Sequence, residues 1–310
     1  STFKFKFMKT FIMRVALFAG IICLIFSCLE LFLRQIKSEN SYHTGNDYEY
    51  KHDYLVNHLD DIKILALGHS HIADGINMIT LNDSGFNTAI PGRNMYYDAE
   101  IVKEFVPKMS NLRTVILPLG YNFQYIKRIE EGQRYMMSKY WGYKLPKEDI
   151  LMNLEILYGA KGKLKRVFSP QKSISGIYFD SLGHQHLPQV LDDRRCMESL
   201  PILESKSDDK DFIREIKEIA RVCRDNGVRL IALTMPCYYT YTDRTTPEGM
   251  AALHALADTM RSVYPAVEYY DFMNDKRFVA DDFFNSSHLN EVGALKFTDI
   301  LKNEILPLSH

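Results

Sequence analysis

The chain has 310 residues, a formal net charge of −1 and 46% hydrophobic content. That length supports one large domain or two modest ones with a sizeable core, and a balanced charge gives no footprint for nucleic acid. Of the 5 cysteines, Cys23 and Cys28 lie in an apolar N-terminal run, and Cys196, Cys223 and Cys237 are scattered without a CxxC pair. This usage excludes a dense disulfide framework and argues against a zinc site, and no cofactor is expected.

Lys4, Lys6, Lys9 and Arg14 precede residues 15–33, a run that is apolar apart from Ser27 and Glu30. Such a run has about the length that crosses a bilayer core as a helix. Basic residues on its N-terminal side place that side in the cytoplasm and the rest of the chain outside it, in the periplasm or at the cell surface. Residues 1–34 are therefore read as a cytoplasmic tip and a single-pass signal anchor. A lipoprotein signal ending at Cys28 and a cleaved signal peptide are the alternatives, and all three export the remainder of the chain. Residues 35–61 are polar and read as a tether, with a short helix at 54–59.

The folded domain is expected over residues 62–310. Residues 64–67 form an apolar run that ends abruptly at Gly68-His69-Ser70-His71, as a buried strand would. A second short strand is expected at 87–90, followed by Pro91-Gly92-Arg93-Asn94, then a helix at 97–109 with Ala99, Val102 and Phe105 on one face. A third strand, 114–117, ends in Pro118-Leu119-Gly120-Tyr121-Asn122. Residues 123–208 then break the pattern. They are read as a helical insertion over the site, with a helix-like piece at 147–158, or alternatively as a partner-binding surface. The alternation resumes with a helix at 211–226 stopped by Gly227, a strand at 228–234, a helix at 247–263, a strand at 267–272, a polar loop at 283–290 and a final helix at 291–306. Strands separated by helices predict an α/β fold with a doubly wound parallel sheet.

Open α/β sheets bind ligands outside the carboxyl ends of their strands. Ser70, Gly92 with Asn94, and Gly120 with Asn122 all fall at such ends, and His288 lies in the last polar loop. A serine hydroxyl becomes a nucleophile when a base, usually histidine, takes its proton. The oxyanion of acyl transfer needs donors fixed in advance. The N–H groups of Ser70 and Gly92 and the amide of Asn122 would serve. Each residue also has a plainer reading: Ser70 as a helix N-cap, Gly92 and Asn122 as turn residues, and His288 as a cap of the last helix.

In order, the blocks Gly68-His69-Ser70, Gly92, Gly120-Tyr121-Asn122 and His288 resemble the SGNH, or GDSL-like, hydrolases. The flank Ser287-His288-Leu289-Asn290 with Gly293-Ala294 resembles that family's final block. The resemblance covers residues 62–122 and 228–306 and leaves out the insertion. It implies a three-layer, flavodoxin-like fold and a serine esterase or O-acyltransferase. Ser70 is its nucleophile, His288 its base, and Ser70, Gly92 and Asn122 form its oxyanion hole. His71, Asn94 and Tyr121 are candidates to contact substrate.

Two positions depart from the family. His69 stands where an aspartate usually precedes the serine, and Asn285 stands where an aspartate usually orients the histidine. An asparagine orients the ring but offsets no charge, so His288 acts as a dyad base, is helped by Asp281 or Asp282, or has lost hydrolysis. Members with one membrane helix and an exported domain resemble proteins of alginate acetylation and teichoic-acid D-alanylation. That implies a cell-envelope glycan or acylated polymer as substrate and a multi-spanning membrane O-acyltransferase as partner. An inactive accessory protein that binds one of them is the alternative.

Other features have plainer readings. The pairs His69/His71 and His184/His186 suggest a metal site only weakly, because His-x-His pairs are common on surfaces. Tyr238, Tyr239 and Tyr241 either stack on a sugar or pack against the insertion. The basic residues 161–166 read as a solvated face.

Overall fold

The computed structural model describes residues 2–35, 47–81, 84–121, 131–144, 154–160, 177–189 and 210–307. Most of the expected insertion, the basic residues 161–166, Cys196 and Asn122 lie outside these described residues.

The centre is a five-stranded sheet of β1 (Ile64–Ala66), β2 (Gly85–Asn87), β3 (Thr114–Pro118), β6 (Arg229–Thr234) and β7 (Glu268–Asp271). Every pairing in it is parallel, in the order β2-β1-β3-β6-β7. Two further strands, β4 (Tyr178–Phe179) and β5 (Gln185–His186), form a separate antiparallel hairpin. Parallel strands buried on both faces read as unbroken apolar runs, and that is why the ILAL and VILP segments are so hydrophobic.

The helices that frame the sheet and its approaches are α1 (Thr2–Gln35), α2 (Asp47–Asn57), α3 (Ser70–Gly75), α4 (Met95–Phe105), α5 (Glu131–Trp141), α6 (Lys210–Asp225), α7 (Pro247–Arg261) and α8 (Glu291–Ile300). Successive side chains of a strand point to opposite faces. Leu65, Leu67, Val115, Leu117, Leu230 and Ala232 therefore pack into one core with α4, α6 and α7. Ile64, Ala66, Ile116, Ile231 and Leu233 pack into a second core with α3 and α8. The result is three layers, α/β/α, as the alternation of elements predicts.

Several boundaries move. The second strand is Gly85–Asn87 rather than 87–90. Asn87 ends the ladder opposite Ala66, with its side-chain amide donating to Ile72 O at 2.8 Å and Ile76 O at 3.0 Å, and the apolar Ala89 and Ile90 pack in the loop after the strand. The helix expected at 97–109 starts at Met95, capped by Asn94, and tightens to a 3₁₀ turn at Val106–Lys108, where Pro107 stands. The last helix is α-helical to Ile300 and continues as a π turn over Leu301–Ile305.

Within the span read as a lead-in, residues 47–57 form α2, and Tyr48, Lys51 and Leu55 are buried. Lys51 Nζ donates to Ala89 O at 2.5 Å and Gly183 O at 2.7 Å, and burial pushes its ammonium pKa well below the usual value. This lysine and the Tyr50 hydroxyl, which donates to Ser181 O at 2.8 Å, pin the β4–β5 hairpin to the edge of the domain. His184 and His186, read from sequence as a surface pair, are buried there.

Helix α1 contains the stretch Phe7–Gln35, with mean hydropathy 2.5, long and apolar enough to cross a membrane. Its apolar side chains are exposed from Phe7 to Phe32. Glu30, the acid inside the apolar run, accepts a hydrogen bond from Ile156 N at 3.0 Å and from Arg34 Nε at 2.8 Å.

Gly183 has φ 84°, and a Cβ there would lie 2.1 Å from Asn87 O. Gly183→Ala should therefore destabilise the domain by about 2 kcal/mol or more. A urea titration of the full chain checks this, and an unchanged midpoint would contradict the packing.

Candidate active site

The strand order reverses at β1, which lies between β2 and β3, and a crevice opens at such a switch point. The chain leaves β1 through Gly68 at φ 112°. A Cβ at this position would sit 2.2 Å from Pro118 Cγ, at the end of β3, so only glycine fits. The Gly68 carbonyl accepts from Ile90 N at 3.1 Å, and its N–H donates to Asp98 Oδ1 at 2.9 Å.

His69 is extended and occupies the N-cap of α3, with its Nδ1 facing the N–H of His71 at 3.4 Å. The cap position is therefore not Ser70's. Ser70 is the first residue of α3, and its Oγ lies 2.8 Å from His288 Nε2.

His288 comes from the loop that precedes α8. That loop is closed by Phe284 N donating to His288 O at 2.8 Å, and Tyr238 N donating to Ser286 O at 2.8 Å ties it to the end of β6. Asn290 caps α8 through Gly293 N at 3.1 Å. A Cβ on Gly293 would approach Asp282 O to 2.1 Å, so the helix meets the loop only with glycine there.

Asn285 sets the imidazole. Its Oδ1 accepts from Ser287 N and His288 N, each at 3.0 Å, and faces His288 Nδ1 at 2.9 Å. Two backbone N–H donors identify this atom as the amide oxygen, so the ring carries its proton on Nδ1. Nε2 is then free to accept the Ser70 proton. Asp281 and Asp282 do not take this place. Asp281 is exposed, and Asp282 accepts from Val279 N at 2.8 Å and Lys296 Nζ at 2.5 Å.

Burial pushes His288 down to about 4, so the ring is a neutral imidazole at pH 7. An unfolded imidazole protonates near pH 6.5. The stability this group contributes is thus complete above that value and declines as pH falls toward 4. The His71 ring meets His288 edge-on with centroids 4.7 Å apart, and His69 lies 4.7 Å from His71. Burial and then the neighbouring imidazoles hold His69 and His71 well below the usual histidine value.

Of the residues named from sequence, the structure brings Ser70, His71, Asn285 and His288 together. Gly92 lies exposed at φ 74° on the turn after β2, and its carbonyl accepts from Gln133 Nε2 of α5. Asn94 is held by its neighbours: its Oδ1 caps α4 through Tyr96 N at 3.0 Å, and its N–H donates to Gln133 Oε1 at 3.1 Å. Tyr121 is buried, and its hydroxyl accepts from Thr246 N at 3.1 Å at the start of α7. Asn122 lies outside the described residues. Among the described residues no group of three His, Cys, Asp or Glu side chains is arranged to hold a metal ion. Sequence reasoning missed Asp98, Arg93 and Gln133. No sequence signal separates Asp98 from a solvated acid in the first turn of a helix.

No protein-family model matches the chain, and no curated protein sequence matches it significantly. Solved structures similar over most of its length include two from bacteria. One, from Streptococcus pneumonia and provisionally described as a platelet activating factor, is 12% identical; it covers 90% of this chain and 97% of its own, with a TM-score of 0.44. The other, from Bacteroides fragilis NCTC 9343 and provisionally described as an acylhydrolase, is 10% identical; it covers 81% and 90%, with a TM-score of 0.38. At these scores neither likeness bears on the chemistry of the site.

In an NMR titration, His288 should protonate near pH 4. Asn285→Asp, by placing a carboxylate on Nδ1–H, should raise that value by about 1–3 pH units. A parent His288 that titrates at or above its ordinary value would refute the site's electrostatics.

Proposed function

We propose that the chain is a serine esterase or O-acyltransferase of SGNH type. The observation that carries this reading is the 2.8 Å contact between Ser70 Oγ and His288 Nε2, on a ring whose tautomer Asn285 sets. In the first half-reaction, Ser70 Oγ attacks the acyl carbonyl while its proton passes to His288 Nε2. The carbonyl electrons move onto the oxygen, which the N–H groups of Ser70 and Gly92 and the amide of Asn122 would receive. Collapse of the intermediate expels the alcohol, which takes the proton back from His288. Water or a sugar hydroxyl then attacks the acyl-serine by the reverse path and releases Ser70.

Asn285 gives this mechanism its particular character. It orients the ring without a charge to offset the imidazolium, so the base is weaker than one backed by aspartate. On the same reading, α1 anchors the protein in a membrane with the α/β domain outside the cytoplasm. The substrate is then an acyl group, acetyl first among them, on a cell-envelope polysaccharide, and the partner is a multi-spanning membrane O-acyltransferase. His71 lies beside the reacting atoms and would contact the substrate.

A second reading, an inactive accessory protein that binds a glycan or that acyltransferase, draws on the same Asn285 and on the low basicity of His288. A serine-reactive fluorophosphonate separates the two. Labelling of the full chain that disappears in Ser70→Ala supports the enzyme, and a folded chain that does not label supports the accessory role.

Hydrolysis of p-nitrophenyl acetate by the full chain in detergent should fall by about 10³-fold or more in Ser70→Ala and in His288→Ala. The acid limb of kcat/KM should lie near pH 4, since protonation of His288 removes the base. A limb near neutrality, or activity that survives Ser70→Ala, would overturn the assignment.

A further inference from the structure

We infer that Asp98 is a positioning residue for the nucleophile, holding the turn that carries Ser70 through Gly68 N–H, while Arg93 offsets its buried charge within a closed ring of buried contacts. The inference rests on the proposed esterase reading for its kinetic arm and on geometry for the rest. The ring starts at Ala66, the last residue of β1. Its carbonyl accepts from Thr88 N at 2.8 Å and from Thr88 Oγ1 at 2.9 Å. Thr88 O and Oγ1 accept from Arg93 Nη1 at 2.7 Å and Nη2 at 3.2 Å. Arg93 Nη2 lies 2.5 Å from Asp98 Oδ1, and both side chains are fully shielded from solvent. The same Oδ1 accepts from Gly68 N at 2.9 Å, which returns the ring to the chain two residues after Ala66 and two before Ser70.

Stability alone does not account for this pair. Burying two charges costs desolvation that their attraction offsets only with full hydrogen bonding, and an apolar pair of similar volume often serves as well. Here Asp98 Oδ2 and Arg93 Nε are buried with no hydrogen-bond partner among the described residues. What the pair does accomplish is directional. A backbone N–H at a left-handed φ of 112° is given one acceptor, and Gly68 is held between Asp98, Ile90 and Pro118. Ser70 Oγ then meets His288 Nε2 without having to search for it. Arg93 offsets the buried Asp98 charge. A displacement of the order of 1 Å at a reacting group costs about 10²-fold in rate, so restraint two residues away has kinetic value.

The test compares two charge-free double variants of the full chain. Arg93→Met with Asp98→Asn keeps an amide oxygen for Gly68 N–H, whereas Arg93→Met with Asp98→Leu leaves none. With p-nitrophenyl acetate, the Asn variant should stay within about threefold of the parent in kcat. The Leu variant should lose about 10- to 100-fold in kcat with KM nearly unchanged, and its fluorophosphonate labelling should slow in step. A folded Leu variant with parental kcat would overturn the inference, as would equal losses in the two variants. If the Leu variant does not fold, Arg93→Met with Asp98→Ala replaces it. If the parent neither turns over nor labels, the proposed function fails and the amide of Gly68 decides. Its hydrogen exchange should accelerate at least about tenfold in the Leu variant and not in the Asn variant. Equal protection in both would overturn the positioning role independently of activity.

Discussion

Gly68 and Pro118 touch where two parallel strands end, and the rest of the site depends on that contact. There is no room for a Cβ between them, so the chain leaves β1 at a left-handed angle and swings directly into α3. That turn puts Ser70 at the first position of the helix and leaves the capping duty to His69. It also puts Ser70 at the reversal of strand order, where the loop after β7 can reach across the end of the sheet. Gly293 plays the matching part on the other side: its missing side chain lets α8 close on Asp282, and this sets the height of His288. Two close approaches that only glycine permits thus hold the hydroxyl and the imidazole 2.8 Å apart.

The electrostatics of the site follow from burial more than from pairing. Three imidazoles lie in a chain with ring centroids 4.7 Å apart, and desolvation is the largest influence on each. With Asn285 in place of a carboxylate, the ground state of the Ser70–His288–Asn285 set carries no formal charge. Proton transfer from Ser70 would therefore create a charge pair from neutral groups. Its negative member needs the oxyanion donors all the more, because the positive one receives only an amide dipole.

The fold was legible because parallel strands buried on both sides leave strong apolar runs, and glycine or proline punctuates each end. The meeting of Ser70 with His288 was legible because a serine at the end of the first strand and a histidine in the last polar loop fall where an open α/β sheet brings chain segments together; Asn285 was legible from its place three residues before His288. The boundaries were less so. Asn87, expected to open the second strand, closes it instead, with its side chain on two carbonyls of the α3 region, a tertiary preference that no local pattern announces. The Arg93–Asp98 pair was illegible for a similar reason. A charged residue next to a turn reads as solvated until the neighbours that bury it are known. Lys51 shows the same limit: it lies in a polar segment, yet it is buried against two carbonyls and the ring of Phe179.

Ser70 and His288 stand 218 positions apart, and their hydrogen bond is among the longest-range contacts in the chain. Contacts of such sequence separation form late, after the loop entropy between them has been lost. In a chain that emerges N-terminus first, residues 64–75 are made long before the loop that carries His288 exists. During that interval the Ser70 hydroxyl has no His288 Nε2 to bond. If Ser70 is the nucleophile proposed above, closure of α8 onto the sheet would be the step that arms it, and reactivity would arrive only with a finished domain.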